Sequence, residues 1–219
     1  HSFPTRRSSD LLSDALPVSV ELGLLALVIA LAGGIALGLA AGARRGSALD
    51  RSVAWLSLVA VSAPSFVIGA GLILVVGLWL DWLPAGLWEG PRHAILPALT
   101  LAALPLAYVT QLTRAQVVSV MDQDFVRTAR AKGVPEPRVR RHHVLRNALL
   151  AVLTYFGPLL ATLLTGSFVV EKIYAIPGMG RFFVTAVTNR DYPLVLGVTL
   201  VYAVLVVLAN LAVDLLYAW

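Results

Sequence analysis

The sequence predicts an all-α fold, a polytopic bundle of transmembrane helices, and three of its properties lead to this prediction. Only 13% of the 219 residues are charged, 58% are hydrophobic, and the mean hydropathy is +0.83. Long stretches of the chain contain no charged residue, and small residues recur within those stretches. Because soluble domains carry about 25% charged residues, this composition indicates a protein whose solvent is lipid.

Five stretches are long enough to cross a bilayer, since a helix needs about 20 mostly apolar residues to span the hydrocarbon core. None of them contains Asp, Glu, Lys or Arg, and the first one directly follows Glu21. Membrane strands would alternate apolar and polar residues over about 10 positions, and these stretches do not. We therefore expect five spans: Leu22–Ala43, Ser52–Leu80, Ala94–Thr113, Asn147–Val170 and Tyr192–Val213.

Glycines lie within the first two spans, at Gly33, Gly34 and Gly38 and then at Gly69 and Gly71. Small residues let helices approach each other closely in lipid. We interpret these glycines as packing sites, with a role in gating as the alternative.

Prolines and acids mark other positions in the spans. Pro64 and Pro105 fall inside the second and third spans. Each frees a backbone carbonyl and favours a kink, with a hinge along a pathway as the alternative.

Glu21 and Asp214 are the acids that we place in or near the spans. Both lie close to span ends, so we expect them to anchor the helices at the membrane surface.

Lys and Arg are concentrated in the first and third of the four connections. The positive-inside rule places both connections in the cytoplasm, and the two placements agree with strict alternation. We therefore expect a bacterial or archaeal cytoplasmic (inner) membrane protein, with loop 114–146 and the C-terminus in the cytoplasm. The net charge of +5 then reflects topology, and we expect no nucleic acid partner. The basic residues of the two connections are Arg44, Arg45, Arg51 and Arg114, Arg127, Arg130, Lys132, Arg138, Arg140, Arg141, Arg146.

The N-terminal segment does not fit this topology. Arg6 and Arg7 would lie on the outer side, and residues 1–11 contain no apolar core of a signal peptide. We expect this segment to be non-native or disordered, and at least one span to be missing upstream of it. The chain also ends a few residues after the last span, which suggests a clipped C-terminus.

The third connection contains a short helix between clear start and stop positions. Asp122 or Asp124 is suited to cap its first turn. Gly133 fits the left-handed position just past its end, and Pro135 prevents continuation. Pro135 or Pro137 then fits the first turn of the next helix. The basic, partly apolar short helix has three possible roles: a solvated loop, a membrane-surface element, or a segment that docks into a groove of a partner.

Two sequence motifs in this connection carry a resemblance to a known family. Arg127-Thr-Ala-Arg-Ala-Lys-Gly133, followed by His142-His-Val-Leu-Arg-Asn-Ala148, resembles the coupling loop of permeases from binding-protein-dependent ABC importers. The family's Glu and first Ala are replaced here by Arg127 and Thr128, and its final Pro by Arg146. The dipeptide/oligopeptide/nickel branch is resembled further by Leu16–Glu21, Ile176–Arg181 and Asn189–Pro193.

The resemblance implies a type I importer permease, with five spans here and six when complete, over residues 12–219. It implies a second permease subunit as a homo- or heterodimer partner, two cytoplasmic ATP-binding subunits, an extracytoplasmic solute-binding protein and the lipid bilayer. The implied substrates are peptides, nickel or a related small solute. The coupling loop, 122–146, would contact the ATPase through Asp124, Phe125, Arg127, Thr128, Ala129, Arg130, Ala131, Lys132, Gly133, His142 and His143.

Enzymatic and ion-binding functions find little support in the sequence. The chain lacks the Gly-x-x-x-x-Gly-Lys-Ser/Thr motif, so we expect no ATPase activity, no catalytic residue and no cofactor. It has no cysteine, which excludes thiolate metal sites. The adjacent His142 and His143 point in different directions, and we expect no metal there. Gly178–Arg181 lacks the features of a phosphate loop, and we expect a turn on the outer side.

Two alternatives to the importer subunit stay open at this stage. A secondary transporter would need no ATPase, but we find neither an inverted repeat nor an acid at the middle of a span. An intramembrane enzyme or assembly factor would need a catalytic set, and none is visible. For the segment Glu171–Tyr192 we expect a small helical cap or a contact with the binding protein.

Overall fold

The computed structural model describes residues 8–139 and 144–217, and over these residues it consists of helices without a β-strand. The all-α prediction is therefore confirmed. The helices are α1 (Ser8–Gly42), α2 (Ala48–Ser62), α3 (Ser65–Leu72), a π-helical stretch (Ile73–Trp79), α4 (Pro91–Met121), α5 (Asp124–Ala131), α6 (Glu136–Val139), α7 (Leu145–Ile173), α8 (Met179–Asn189) and α9 (Tyr192–Tyr217).

Three of the described helices are long and apolar enough to cross a membrane: Ser13–Gly42 of α1, Pro91–Met121, and Tyr192–Leu211 of α9. A fourth span results if α2, α3 and the π-helical stretch are counted together. The predicted fourth span lies within α7, which is 29 residues long. The count of five spans stays a prediction.

The two prolines predicted to kink spans behave differently. After α2 the chain leaves the helix at Ala63, with ψ 129°, and Pro64 is the residue that precedes α3. Pro105 is buried inside α4, which continues through it without interruption. The predicted second span is therefore two helices, whereas the third is one.

The helices divide into two compact units. The first unit contains the chain up to Leu27, Pro64–Ala102 and the chain from Gly157 onward. The second unit contains Val28–Ala63 and Ala103–Phe156, and so includes the basic connection.

In the second unit, glycines of α1 lie directly against α4. A Cβ atom added at Gly34 would lie 2.7 Å from the Cβ of Val109, and one at Gly38 would lie 2.6 Å from the carbonyl oxygen of Thr110. Gly42 repeats the contact one turn later, against Val117. These positions are four residues apart, so they form one ridge on the helix. The structure favours the packing interpretation for this ridge.

Candidate functional site

The basic connection begins with α5, whose C-terminal end has the geometry expected from the sequence. Gly133 has a φ of +76°, in the left-handed region that favours glycine. Its N–H donates to the carbonyl of Arg130 at 2.9 Å, and the N–H of Val134 donates to the carbonyl of Ala129 at 3.1 Å. These two hydrogen bonds form a Schellman motif, which satisfies carbonyls that the helix leaves unpaired.

The predicted cap at the start of α5 is wrong by one residue. Gln123 is the capping residue, and its side chain makes no capping hydrogen bond. Asp124 instead occupies the first helical position, where its negative charge faces the positive end of the helix dipole. Asp122 lies before the cap, with its carboxylate 3.7 Å from the guanidinium of Arg45. The prediction failed because both acids suit a cap, whereas the tertiary fold starts the helix between them.

The following turn agrees with the prediction. Pro135 directly precedes α6, and its carbonyl accepts the N–H groups of Arg138 and Val139. Pro137 lies in the first turn of α6, where the missing N–H of proline costs nothing.

One face of α5 is anchored to the body of the second unit. Val126 and Ala129, one turn apart, are 0% and 9% exposed. They belong to a buried cluster that joins α5 and α6 to the end of α4. The cluster fixes α5 to α4 by apolar contacts. Its members are Val117, Val120, Val126, Ala129, Val139 and Val144, with Leu39, Met121 and Val134 packed against them.

The opposite face of α5 is exposed. Phe125 is 42% exposed there, and the basic side chains outnumber the single acid of the helix. Ala129 is the predicted contact residue that faces inward, and His142 and His143 lie outside the described residues. The other predicted residues share the exposed surface: Asp124, Phe125, Arg127, Thr128, Arg130, Ala131, Lys132 and Gly133.

An ion pair between the buried Asp50 and the partly exposed Arg114 ties the start of α2 to α4 in the same unit. Asp50 is 4% exposed and receives two hydrogen bonds from Arg114, one from Nε and one from a terminal nitrogen at 2.9 Å. The N–H of Gly46 also donates to Asp50, at 2.9 Å, while Ser47 caps the helix. Bidentate Arg–carboxylate pairs fix geometry as well as charge. This pair therefore sets the position of the α1–α2 connection on α4.

The first unit contains a second buried acid, Glu171, at the end of α7. It is 0% exposed and accepts hydrogen bonds from Ser19 Oγ at 2.8 Å, from the Gly180 N–H at 2.7 Å and from the Arg181 N–H at 3.3 Å. The Met179 N–H donates in turn to Ser19 Oγ at 2.9 Å. All three amides belong to the first turn of α8, which has no side-chain cap of its own. Glu171 therefore replaces that cap from a distant point in the sequence.

The glycines around this acid leave no room for a side chain. A Cβ at Gly178 would collide with the Glu171 carboxylate, and one at Gly180 would lie 2.5 Å from the Cα of Phe168. The Ile176–Arg181 motif therefore packs around the carboxylate of Glu171. Glu171 already accepts hydrogen bonds from the Gly180 and Arg181 N–H groups at this helix start. The sequence analysis expected a turn at Gly178–Arg181, whereas Met179–Arg181 form the first turn of α8.

Sequence analysis missed both buried acids. Glu171 directly follows the charge-free stretch that ends at Val170, so placing only Glu21 and Asp214 near the spans was wrong. Its partners lie far away in sequence, and no local pattern reveals them. Asp50 had a local indication, because Ser47-Ala-Leu-Asp50 has the spacing of a capping box.

Comparison with known proteins gives a consistent result. The family described as "Binding-protein-dependent transport system inner membrane component" matches residues 34–219. The chain is 43% identical to the dipeptide transport system permease protein DppB of Bacillus subtilis (strain 168), over 98% of this chain and 70% of that protein. It is 40% identical to the oligopeptide transport system permease protein OppB of Escherichia coli (strain K12), over 96% and 69%.

A solved structure shares the fold. It is described as the crystal structure of an amino acid ABC transporter with histidines, and it superposes with a TM-score of 0.72. The match covers 95% of this chain and 93% of the other, at 19% sequence identity. At that identity the likeness concerns the fold alone.

Proposed function

Because this chain belongs to the family of binding-protein-dependent transport system inner membrane components, we propose that it is the subunit through which peptides cross the membrane in an ATP-driven importer. The identity of 40–43% to DppB and OppB supports peptides as the substrate class. The partners of this proposal are a second permease subunit, two ATP-hydrolysing subunits and a solute-binding protein.

The observation that carries the coupling part of the proposal is the two-sided character of α5. Its inner face, Val126 and Ala129, is locked to α4, whereas its outer face presents Phe125 among basic side chains. A short helix of this kind is suited to insert into a groove on a partner. The groove that fits it has an apolar pocket for Phe125 and an acidic rim for Arg127 and Arg130.

Cysteine cross-linking in the assembled importer tests which partner contacts α5. Residues 1–219 contain no cysteine, so each introduced thiol is unique within this part of the subunit. Thr128→Cys lies on the exposed face of α5, where the threonine hydroxyl bonds only its own helix, to the Asp124 carbonyl. Thr185→Cys is the matched control, because Thr185 is also exposed, on α8, and makes the same type of bond to the Arg181 carbonyl.

With a short bis-maleimide, we expect Thr128→Cys to form an adduct with the ATP-hydrolysing subunit and Thr185→Cys to form none. The coupling assignment is refuted if the complex stays intact and ATPase adducts are absent at both Thr128→Cys and Phe125→Cys.

A glycine pair tests whether the turn after α5 matters for coupling. Gly133 and Gly46 have φ values of +76° and +78°, and neither has an atom within 4 Å of an added Cβ. Valine is strained by about 1–2 kcal/mol in this backbone region at either position. We expect Gly133→Val to lower peptide uptake per ATP hydrolysed several-fold, and Gly46→Val to leave that ratio unchanged. Equal losses in both variants would attribute the effect to general strain.

The buried acids do not support the secondary-transporter alternative. Glu171 is occupied by Ser19 and by backbone amides, and Asp50 by Arg114. Neither carboxylate is free to hold a transported ion.

A further inference from the structure

Two tyrosines of the second unit form a pair at similar depth in their helices. The rings of Tyr108, on α4, and Tyr155, on α7, have centroids 5.9 Å apart with an interplanar angle of 40°. Tyr108 lies about 7 Å from the centre of its charge-free stretch, and Tyr155 about 5 Å from the centre of its own, at 1.5 Å per residue. Both are displaced toward the ends that meet the basic connection. Both therefore lie inside the hydrocarbon core, whose half-thickness is about 15 Å.

Their hydroxyl groups differ from those of the two buried tyrosines of the first unit. Tyr174 bonds Thr100 at 2.8 Å, and Tyr202 bonds Ser167 at 3.4 Å. Within the described part of the chain, the hydroxyls of Tyr108 and Tyr155 have no hydrogen-bond partner. Tyr108 is 45% exposed and Tyr155 is partly exposed.

The face of α4 that carries Tyr108 is buried in its first part and exposed in its second. Leu101, two turns earlier on this face, is buried. From Tyr108 onward the face is open, with Ala115 and Ser119 exposed and Gln111 and Leu112 half-buried beside them. Residues at these spacings lie on one side of a helix. The open part is more polar than the exposed part of α9, which presents Leu and Val side chains.

Contact between this surface and lipid would be unfavourable. A hydroxyl in hydrocarbon without a partner costs free energy, and membrane tyrosines are normally enriched at the two interfaces, where the hydroxyl reaches water. Packing against another helix is favoured by small residues such as Ala115 and Ser119, whereas the part of this surface at Tyr108 and Tyr155 presents two large rings. Aromatic walls with a few polar groups are instead typical of sites for small ligands. A peptide in extended form offers the donors and acceptors that the two hydroxyls lack.

We propose that Tyr108 and Tyr155 line the translocation pathway and bind the peptide in transit through their hydroxyl groups. This inference rests on the proposed function and adds the residues at which the substrate is held.

Thiol labelling in the complete importer, reconstituted in proteoliposomes, tests the aqueous exposure of Tyr108. The probe is a membrane-impermeant trimethylammonium thiosulfonate, applied to Tyr108→Cys and to the control Val204→Cys. Val204 is 55% exposed near the centre of the last span, on the apolar face of α9. We expect Tyr108→Cys to react at least about 10-fold faster than the control. We also expect its rate to change several-fold between the nucleotide-free and the vanadate-trapped importer.

Two labelling results overturn the proposal. Reaction of Tyr108→Cys with a lipid-soluble maleimide alone, as for Val204→Cys, would show that this surface faces lipid. Disulfide formation with the second permease subunit, combined with protection from the charged probe in both nucleotide states, would show that it is a subunit interface.

The conservative variants Tyr108→Phe and Tyr155→Phe test binding without disturbing the fold, since only the unpartnered hydroxyl is lost. With radiolabelled dialanine as the probe, we expect KM for uptake to rise roughly 3- to 10-fold per hydroxyl. Unchanged KM in both variants, together with an unreactive Tyr108→Cys, contradicts the pathway assignment. Failure of the unmodified importer to accumulate any peptide with ATP would instead contradict the proposed function.

Discussion

Replacing Glu171 by glutamine tests whether a buried charge holds α8 in place. The carboxylate accepts hydrogen bonds from Ser19 Oγ and from the N–H groups of Gly180 and Arg181, and such bonds are stronger when the acid is ionised. In the glutamine variant, the amide oxygen retains the two bonds from Gly180 and Arg181. A neutral acceptor contributes about 1 kcal/mol less per bond than a charged one. The amide nitrogen cannot accept from Ser19, whose buried hydroxyl then lacks an acceptor at a cost of about 1–3 kcal/mol. The expected destabilisation is therefore roughly 3–5 kcal/mol.

Two measurements on the purified subunit report this loss. For a chain of about this size, 3–5 kcal/mol lowers Tm by roughly 10 °C. Hydrogen exchange localises the effect, because the amides of Met179, Gly180 and Arg181 are the donors that the cluster protects. We expect these amides to exchange faster in Glu171→Gln, while those of α5 are unaffected.

Glu21→Gln is the matched control, since Glu21 lies two residues after Ser19 on the same helix and is exposed. We expect its effect to stay within about 0.5 kcal/mol. A Tm for Glu171→Gln within 1 °C of the control, with unchanged exchange at Gly180, would refute the reasoning that α8 depends on a charged cap.

Two further perturbations examine the second unit. Asp50→Asn keeps the shape of the side chain but removes the charge that Arg114 faces. We expect the free energy of unfolding to fall by roughly 2–4 kcal/mol, measured as a lower Tm. A variant as stable as the parent would show that the ion pair contributes no net stability. Gly38→Val places a Cβ 2.6 Å from a carbonyl oxygen of α4 and should lower stability by roughly 1–3 kcal/mol. Gly71→Val is the control and should be tolerated, since no atom lies within 4 Å of its added Cβ. Equal Tm values for the two variants would argue against the close approach of α1 and α4.

The sequence predicted features that depend on local chemistry. Gly133 is left-handed and Pro137 lies in a first helical turn because these residues restrict their own backbone. The spans followed from the absence of charge over long stretches. The start of α5 was misplaced by one residue because two acids competed for one cap and the choice between them depends on the fold.

Long-range contacts were beyond the reach of the sequence. Ser19 and Glu171 are 152 positions apart, so their hydrogen bond leaves no local pattern. Similarly, Pro64 and Pro105 look equivalent in sequence, but only the first interrupts a helix. The inward face of α5 could have been predicted, since Val126 and Ala129 have helical spacing, but the sequence analysis placed Ala129 among the contact residues.

The apolar cluster beneath α5 has a mechanical consequence. Because Val126 and Ala129 share that cluster with Val117 and Val120, a force applied to α5 acts on the end of α4. From there to Tyr108 the helix is uninterrupted over 13 residues, about 20 Å at 1.5 Å per residue. A continuous helix of this length is stiff, so it would transmit a displacement along its axis. A displacement of about one ångström at Val117 and Val120 would therefore move Tyr108 by a similar amount.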